Sequence, residues 1–275
     1  MGIMRMSFLS KTLDFHTDVN IIIPSDGPIP QGQNMQDFYN IKEKFQVLYL
    51  LHGGGGNAAD WCRFTNVERY AEERKIAVVM PEVGGTSFYT DMVHGYPYFT
   101  FLSEELPKMV EAMFQIGGSR EKRFVAGLSM GGYGAMKWAI TYPEFFSAVA
   151  GMSGVSLLTD IFENSDLASA DPDDKSSIVN VNWGSLEKLR NSPDDTKYML
   201  DRVAECQEKY PPIYACIGTE DPTYDYTQSF LEYAKKAGVV LTYEEGHGMH
   251  DWKFWDTFLP RVMDWCMSQS ATVEK

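Results

Sequence analysis

The chain has 275 residues, 44% of them apolar and 13% aromatic, and its 24 basic and 38 acidic side chains give a formal net charge of −14. This composition supports one large core, so we expect a single domain over residues 1–275. An acidic surface repels phosphate backbones and anionic lipid headgroups, and no apolar run approaches the roughly 18 residues of a membrane span. We therefore expect neither a nucleic-acid nor a membrane partner.

The cysteine pattern and the N-terminal residues bear on the compartment. The first residues contain no apolar segment followed by a small-residue cleavage site, so no secretory signal is predicted. The cysteines are widely spaced and form no C-x-x-C pair, which favours free thiols over a zinc or redox motif. We expect a cytoplasmic protein without a cofactor. The cysteines are Cys62, Cys206, Cys216 and Cys266.

Short apolar runs alternate with helical patterns along the chain. This alternation is typical of an α/β fold with a mostly parallel, doubly wound sheet and helices on both faces. The first two predicted strands, residues 7–15 and 18–24, form an antiparallel start. The later ones are nearly continuous apolar runs, as strands covered on both faces must be. They are residues 45–51, 76–80, 123–127, 148–152, 213–217 and 239–243.

Helices are predicted between these strands. One apolar stripe runs from Leu102 to Met113 with helical spacing, and Pro107 lies in its first turn, where a missing N–H costs little. Further helices are predicted over residues 130–141 and 252–267. Residues 155–205, after the sixth strand, are rich in Asp, Ser and Pro and indicate a small insertion. It could be a cap that forms part of a pocket wall or a plain surface excursion.

The segment Gly127-Leu128-Ser129-Met130-Gly131 matches the G-x-S-x-G pattern of a nucleophile elbow. The motif alone is weak, because a chance match occurs in about one chain of this length in ten. Its setting is more specific, since a predicted strand precedes it and a predicted helix follows. In such a turn only small flanking residues avoid clashes, and the helix N-terminus directs free N–H groups at the serine. Ser129 is therefore the candidate nucleophile.

A glycine run, His52-Gly53-Gly54-Gly55-Gly56, directly follows the third predicted strand. Acyl transfer needs N–H donors aimed at a developing oxyanion, and glycines let the backbone approach closely. The expected donors are the amides of Gly54 and Met130, with Gly55 as an alternative to Gly54. A phosphate-binding loop is disfavoured, because no G-K-[ST] or G-x-G-x-x-G pattern is present. We interpret His52 as a brace for this loop.

A serine nucleophile needs a base, and the base needs an acid to orient it, in the chain order Ser, acid, His. Only His247 and His250 follow the last predicted strand, and order alone does not separate them. Asp221, after the strand at 213–217, is the expected acid, with Glu220 and Asp225 as alternatives. The spacing of the two histidines also fits a metal pair, but further ligands are missing, so we expect no metal.

Aromatic side chains concentrate near the predicted loops. Core packing explains most of them, yet some could line a pocket for the acyl or leaving group. The candidate substrate-binding residues are Gly55, Trp61, Tyr89 and Tyr96, with Phe88 and Tyr98 nearby.

Taken together, these segments resemble the esterase D-like, or "putative esterase", branch of the α/β hydrolases, which includes S-formylglutathione hydrolases, short-chain esterases, and acetylxylan and feruloyl esterases. The resemblance covers most of the chain, and its most specific parts are FVAGLSMGGYGAMKW and HDWKFWD. It implies Ser129, Asp221 and His250 as the triad. It selects His250 because the family histidine precedes a tryptophan by two positions, as Trp252 follows here. Many relatives carry a larger residue where this chain has Gly54.

The resemblance implies a serine carboxylesterase that hydrolyses short-chain acyl or carbohydrate-linked (acetyl, feruloyl) esters, small-molecule or oligosaccharide. It also makes a homo-oligomer plausible. The alternatives are an S-formylglutathione thioesterase, an acyltransferase related to mycolyltransferases, and a non-catalytic binding module on the same scaffold. Thioester and oxyester rates would separate the first of these from an esterase.

Overall fold

The computed structural model describes residues 2–25, 43–165, 169, 171, 174 and 176–270. Within these residues one eight-stranded sheet has the order β1-β2-β4-β3-β5-β6-β7-β8. The strands are β1 Gly2–Leu9, β2 His16–Ile23, β3 Gln46–Leu51, β4 Ile76–Pro81, β5 Arg123–Leu128, β6 Ala148–Met152, β7 Ile213–Gly218 and β8 Thr242–Gly246.

The sheet is antiparallel at one end and parallel elsewhere. β1 and β2 pair antiparallel from Gly2 opposite Ile23 to Leu9 opposite His16, and β2 pairs antiparallel with β4. The pairs from β4 through β3, β5, β6 and β7 to β8 are all parallel. The predicted α/β fold with an antiparallel start is confirmed.

Helices cover both faces of the sheet. The third helix, α3, consists of Tyr98–Thr100, a wide π-helical segment Phe101–Glu105, and Leu106–Met113. The others are α1 Asp60–Phe64, α2 Val67–Arg74, α4 Met130–Thr141, α5 Leu158–Glu163, α6 Ile178–Trp183, α7 Leu186–Leu189, α8 Thr196–Glu205, α9 Tyr224–Ala237 and α10 Trp252–Ser270.

The core lies in two layers, one on each face of the sheet. Successive side chains of a strand point to opposite faces. In β3, Val47, Tyr49 and Leu51 therefore belong to the layer that includes α4, whereas Leu48 and Leu50 pack in the layer with α10. All five are fully buried, which explains why the central strands are apolar at every position.

Three predicted elements differ in extent from the structure. The first strand, predicted over residues 7–15, is β1 Gly2–Leu9, because residues 10–15 form the turn into β2, in which the Ser10 N–H donates to the Phe15 carbonyl. Pro107 is in the first turn of Leu106–Met113, as predicted, but that segment continues an upstream helix that begins at Tyr98. The π-helical turn precedes the proline, and such a widened turn is one way in which a helix accommodates a residue that lacks an N–H. The predicted final strand, residues 239–243, is shifted, because β8 begins at Thr242.

The insertion after the sixth strand is helical. Its described residues form α5, α6, α7 and α8 between β6 and β7. The side chains of Ser177, Ser185 and Asp195 cap the N-termini of the last three helices, which explains the Ser and Asp content of this region. The four cysteines are free. Across the described ranges, no helix is long and apolar enough to cross a membrane.

Candidate active site

Ser129 occupies the sharp turn between β5 and α4. Its backbone has φ 50° and ψ −123°, a conformation that a residue with a side chain rarely adopts. The flanking glycines are required by close backbone approach. A Cβ on Gly127 would lie 2.3 Å from the Gly131 carbonyl oxygen, and one on Gly131 would lie 2.5 Å from the Leu51 carbonyl oxygen. The turn therefore has the geometry predicted from the G-x-S-x-G segment.

The structure brings Ser129, Asp221 and His250 together, although they follow three different strands. Nε2 of His250 lies 3.0 Å from Oγ of Ser129. Nδ1 of the same ring lies 2.9 Å and 3.1 Å from the two carboxylate oxygens of Asp221. These contacts arise because the parallel strands β5, β7 and β8 all end at the same edge of the sheet. One imidazole thus bridges a hydroxyl and a carboxylate.

The Asp221 carboxylate is fully buried but well satisfied. Its side chain has no exposed surface, and Oδ1 accepts hydrogen bonds from the Thr223 backbone N–H (2.8 Å) and hydroxyl (2.7 Å). Burial alone would raise the pKa of Asp221. The hydrogen bonds from His250 and Thr223 outweigh that effect, so the pKa lies below its usual value of 3.8. The carboxylate is therefore ionised and able to orient an imidazole.

The alternative acid and base pair with each other. Nδ1 of His247 lies 2.8 Å from Glu220, and the His247 side chain is 90% exposed. Glu220 also accepts a hydrogen bond from the Gly248 N–H. This pair joins the loop that carries Asp221 to the loop that carries His250. Asp225 lies in the first turn of α9. Over the described residues, no group of three or more His, Cys, Asp or Glu side chains could hold a metal ion.

The glycine loop faces Ser129 across a cavity. Gly54 and Met130 both line this cavity, and among the described residues the N–H of neither donates a hydrogen bond. The Met130 amide also lies at the N-terminus of α4, where the helix dipole is positive. The Gly55 N–H donates to the Gly85 carbonyl at 2.7 Å, so the alternative donor is occupied. Within the described residues, the Gly54 and Met130 amides thus remain without an acceptor beside Ser129.

The His52 side chain supports this loop by hydrogen bonding to its backbone. Its Nδ1 lies 2.8 Å from the Gly53 carbonyl oxygen, and its Nε2 accepts from the Val83 N–H at 3.4 Å. The hydroxyl of Tyr89 donates to the His52 carbonyl at 2.8 Å. Burial lowers the pKa of His52, which keeps the ring neutral. The side chain is 1% exposed and lies behind the loop, as the sequence interpretation expected.

The cavity beside Ser129 has a volume of about 250 Å³ and an apolar wall. One side comes from the glycine loop and the loop after β4, the other from the insertion. Residues of the insertion between Val155 and Phe162, together with Ile178, thus form part of the pocket wall. Among the described residues, none of those that line the cavity carries a charged side chain. The larger apolar side chains are Phe88, Met130, Tyr133, Val155, Leu158, Ile161, Phe162 and Ile178.

Three of the candidate substrate-binding residues do not line this cavity, and full burial elsewhere contradicts the prediction for Trp61 and Tyr89. Trp61 is fully buried in the layer with α10, where its indole N–H donates to the Leu51 carbonyl. Tyr89 is also fully buried, and its hydroxyl donates a hydrogen bond to the His52 carbonyl. Tyr96 is 49% exposed and packs edge-on against Phe15. None of the three lines the cavity, whereas Gly55 does.

Sequence reasoning missed the apolar residues of the insertion. Val155, Leu158 and Phe162 lie three and four positions apart, and Ile161 is adjacent to Phe162. This is the spacing of one helix face. An apolar helical face just after the strand that follows the elbow would have predicted a wall of the pocket.

Comparison with known proteins agrees with this geometry. The family described as "Putative esterase" matches residues 32–265. An acetyl esterase from Caldicellulosiruptor saccharolyticus is 30% identical over 271 residues, which cover 96% of this chain and 98% of that protein.

Two solved structures from Staphylococcus aureus are similar over almost the whole chain. The substrate-bound fluorophosphonate-binding serine hydrolase F has a TM-score of 0.83 and 27% identity, covering 97% of this chain and 98% of that one. An S-formylglutathione hydrolase has a TM-score of 0.80 and 27% identity over the same shares. The chain therefore belongs to this esterase family and is a serine carboxylesterase with the α/β-hydrolase fold.

Proposed function

We propose that Ser129, His250 and Asp221 are the catalytic triad of an esterase that acts on short, uncharged acyl esters, including acetyl and feruloyl esters of carbohydrates, through an acyl-enzyme. The observation that carries the proposal is the position of the His250 ring, 3.0 Å from the Ser129 hydroxyl and 2.9 Å from the Asp221 carboxylate. A serine hydroxyl is a weak nucleophile unless such a base accepts its proton.

The reaction has two steps. His250 takes the proton of Ser129 as the hydroxyl oxygen attacks the ester carbonyl carbon, and it then gives that proton to the departing alcohol. Water, deprotonated by His250, next attacks the acyl-enzyme and releases the acid, and Ser129 regains its proton. Asp221 stays ionised throughout, because its low pKa lets it stabilise the imidazolium without accepting the proton.

The Gly54 and Met130 amides stabilise the oxyanion in both steps. Both line the cavity beside Ser129 and have no other acceptor within the described part of the chain. Preorganised donors of this kind contribute about 3 kcal/mol each to the transition state. The bracing of Gly53 by His52 keeps the loop in this orientation before substrate arrives.

The cavity supports an uncharged acyl group. Its described lining residues carry no charged side chain, and burying a carboxylate there would cost several kcal/mol. The cavity volume is about 250 Å³, whereas one water takes up about 30 Å³ in the liquid. An acetyl group, which has only three non-hydrogen atoms, would therefore leave much of the cavity empty. Acyl groups longer than acetyl, or an aromatic acid, would fill this space.

A thioesterase is the second candidate, because one similar structure is an S-formylglutathione hydrolase. The cavity favours the oxyester proposal, since a formyl group has one carbon and would leave the apolar wall uncontacted. Rates for a matched thioester and oxyester with the same acyl group would decide between the two.

Substitution of the triad tests the proposal. With p-nitrophenyl acetate, Ser129→Ala should lower kcat by about 10⁶-fold and Asp221→Asn by about 10⁴-fold, because the first removes the nucleophile and the second leaves the wrong imidazole tautomer. Ser229→Ala and Asp225→Asn are matched controls, because both side chains are exposed on helix α9, outside the triad and the cavity lining. Both should keep wild-type rates. A Ser129→Ala enzyme with most of its activity would refute the proposed nucleophile.

A further inference from the structure

A buried ion pair joins α4 to the insertion, away from the reacting groups. Nζ of Lys137 lies 2.7 Å from Oδ1 of Asp194, and the two side chains are 3% and 17% exposed. The same ammonium donates to the Thr90 hydroxyl at 2.9 Å and lies 4.4 Å from the centre of the Phe99 ring. Lys137 is eight residues beyond Ser129, or about two helical turns.

Asp194 accepts hydrogen bonds from three separate parts of the chain. Its carboxylate accepts the Thr90 hydroxyl, from the loop after β4, and the Trp183 indole N–H at 2.7 Å, from α6. Its backbone carbonyl accepts the Tyr133 hydroxyl of α4 at 2.8 Å. The nucleophile helix, the loop after β4 and the insertion therefore meet at one carboxylate.

Stability alone does not explain a pair of this kind. Desolvating two charges costs several kcal/mol each, and apolar residues of similar volume are often as stabilising. Hydrogen bonds are directional, whereas apolar contacts are not. Because Lys137 and Asp194 also hydrogen-bond to other side chains, the pair allows fewer relative positions of the insertion and α4 than apolar contacts would. The pair thus fixes how the insertion sits on α4.

The partners of Asp194 lead directly to the acyl cavity. Tyr133 lines it. The Trp183 ring lies 5.7 Å from Phe88 and 5.6 Å from Phe162, and both of these also line it. Neither Lys137 nor Asp194 reaches the cavity itself.

A second contact ties the insertion to the same loop. The side-chain amide nitrogen (Nδ2) of Asn182 donates to the backbone carbonyl oxygens of Thr86 and Ile178, both at 2.9 Å. Thr86 and Ile178 lie on opposite walls of the cavity. The bond to Thr86 therefore gives the insertion a second polar contact with the loop after β4, made by a side chain that is itself buried.

We propose that Lys137 and Asp194 are positioning residues that hold the insertion against α4 and thereby set which acyl groups the esterase accepts. The proposal rests on the proposed function, because it concerns the acyl cavity of that site. It assigns the pair no contact with substrate and no part in proton transfer. Its consequence is that selectivity among acyl groups depends on a charge pair outside the cavity.

The test compares kcat/KM for p-nitrophenyl hexanoate and p-nitrophenyl acetate. In Lys137→Met, the unpaired Asp194 should displace the wall that the longer chain contacts. The hexanoate-to-acetate ratio should fall by about 10- to 100-fold, as expected for an ångström-scale misplacement of contacting groups. The acetate reaction should stay close to wild type, because the triad does not touch the pair. Active sites are counted by titration with a fluorophosphonate.

The matched control is Lys197→Met, which removes the cation from the half-exposed Lys197–Asp160 pair of the same insertion and should leave the ratio unchanged. If Lys137→Met does not fold, Asp194→Asn removes the partner charge and gives the same comparison. An unchanged ratio in a folded variant would overturn the proposal, as would failure of both variants to fold, because the pair would then support the whole fold. A wild-type protein that hydrolyses neither ester would instead refute the proposed function.

Discussion

At the scale of single residues, His52 shows how a buried titratable group supports a site that it does not enter. Its Nε2 faces the Val83 N–H, a donor, so that nitrogen must accept and the proton resides on Nδ1, which donates to Gly53. A second proton would leave Nε2–H pointing at another donor. The ring must therefore stay neutral for the glycine loop to keep its shape.

The protonation of His52 predicts a pH-dependent stability. Burial lowers the pKa of His52 below 6.5, so the unfolded chain binds a proton at a higher pH than the folded one. Below about pH 6.5 the free energy of unfolding should therefore decrease as pH falls, by no more than about 2 kcal/mol between pH 6.5 and 5 from this group. Urea unfolding at several pH values measures it.

The variant His52→Asn isolates this contribution. An asparagine amide can still donate to Gly53 but does not titrate, and the other four histidines are unchanged. The variant should be less stable at pH 7.5, because the Val83 N–H loses its acceptor, and its stability should depend less on pH than that of the wild type. Equal slopes for the two proteins would contradict a neutral, buried His52.

Residues with specific chemistry were easier to predict than residues that only pack. The spacing around Ser129 and the chain order of acid and base narrowed the candidates to a few positions, and the structure brings Ser129, Asp221 and His250 into contact. Trp61 and Tyr89 were assigned wrongly because an aromatic near a loop can face either the core or a pocket. That choice depends on partners distant in the chain, such as the Leu51 carbonyl.

At the scale of elements, two glycines at the proposed oxyanion donors differ sharply in the space around them. A Cβ on Gly131 would lie 2.5 Å and 2.6 Å from the carbonyl oxygens of Leu51 and His52, so α4 can approach β3 only without a side chain there. A Cβ on Gly54 would meet only the Gly85 carbonyl oxygen, at an ordinary 3.5 Å. A methyl group at this position therefore fits the observed space.

This difference predicts opposite results for two similar substitutions. Gly131→Ala should lower the free energy of unfolding by about 2–3 kcal/mol, because backbone atoms must move apart, and should reduce kcat/KM by at least about tenfold as Met130 shifts. Gly54→Ala should fold normally and keep most activity, because its amide remains. Denaturant unfolding and ester hydrolysis measure both effects. Normal activity in Gly131→Ala would show that helix α4 is free to move without cost.

The shifted final strand shows where periodicity misleads. In the sequence, Val239 has the pattern of a strand start, but in the structure it belongs to the C-terminal cap of helix α9. Gly238 has φ 87°, and the Val239 N–H donates to the Ala234 carbonyl at 2.9 Å. This is a helix C-cap in which an apolar residue packs back on the helix. An apolar residue after a glycine fits both a strand start and a helix C-cap, and only the hydrogen bond distinguishes the two.

At the scale of the whole molecule, the net charge of −14 opposes the approach of anions. In the part of the chain that the structure describes, no cationic side chain lines the cavity to offset this field. An ester with an anionic leaving group should therefore react more slowly than a neutral ester with the same acyl group.

Salt should reduce that difference. For 4-acetoxybenzoate, kcat/KM should rise several-fold between about 0.01 and 0.15 M salt, because the Debye length falls from about 30 to 8 Å. Methyl 4-acetoxybenzoate, the neutral control, should show little change. A rate for the anion that falls with salt would indicate a local positive site for the leaving group.

The order of the sheet has one more consequence. β8 lies at the edge and, in the described part of the chain, pairs only with β7, yet His250 follows it by four residues. During synthesis, the nucleophile turn can form before His250, the proposed base, has left the ribosome. We therefore expect ester cleavage to begin only after β8 has paired with β7, so the onset of turnover would report the closure of this edge of the sheet.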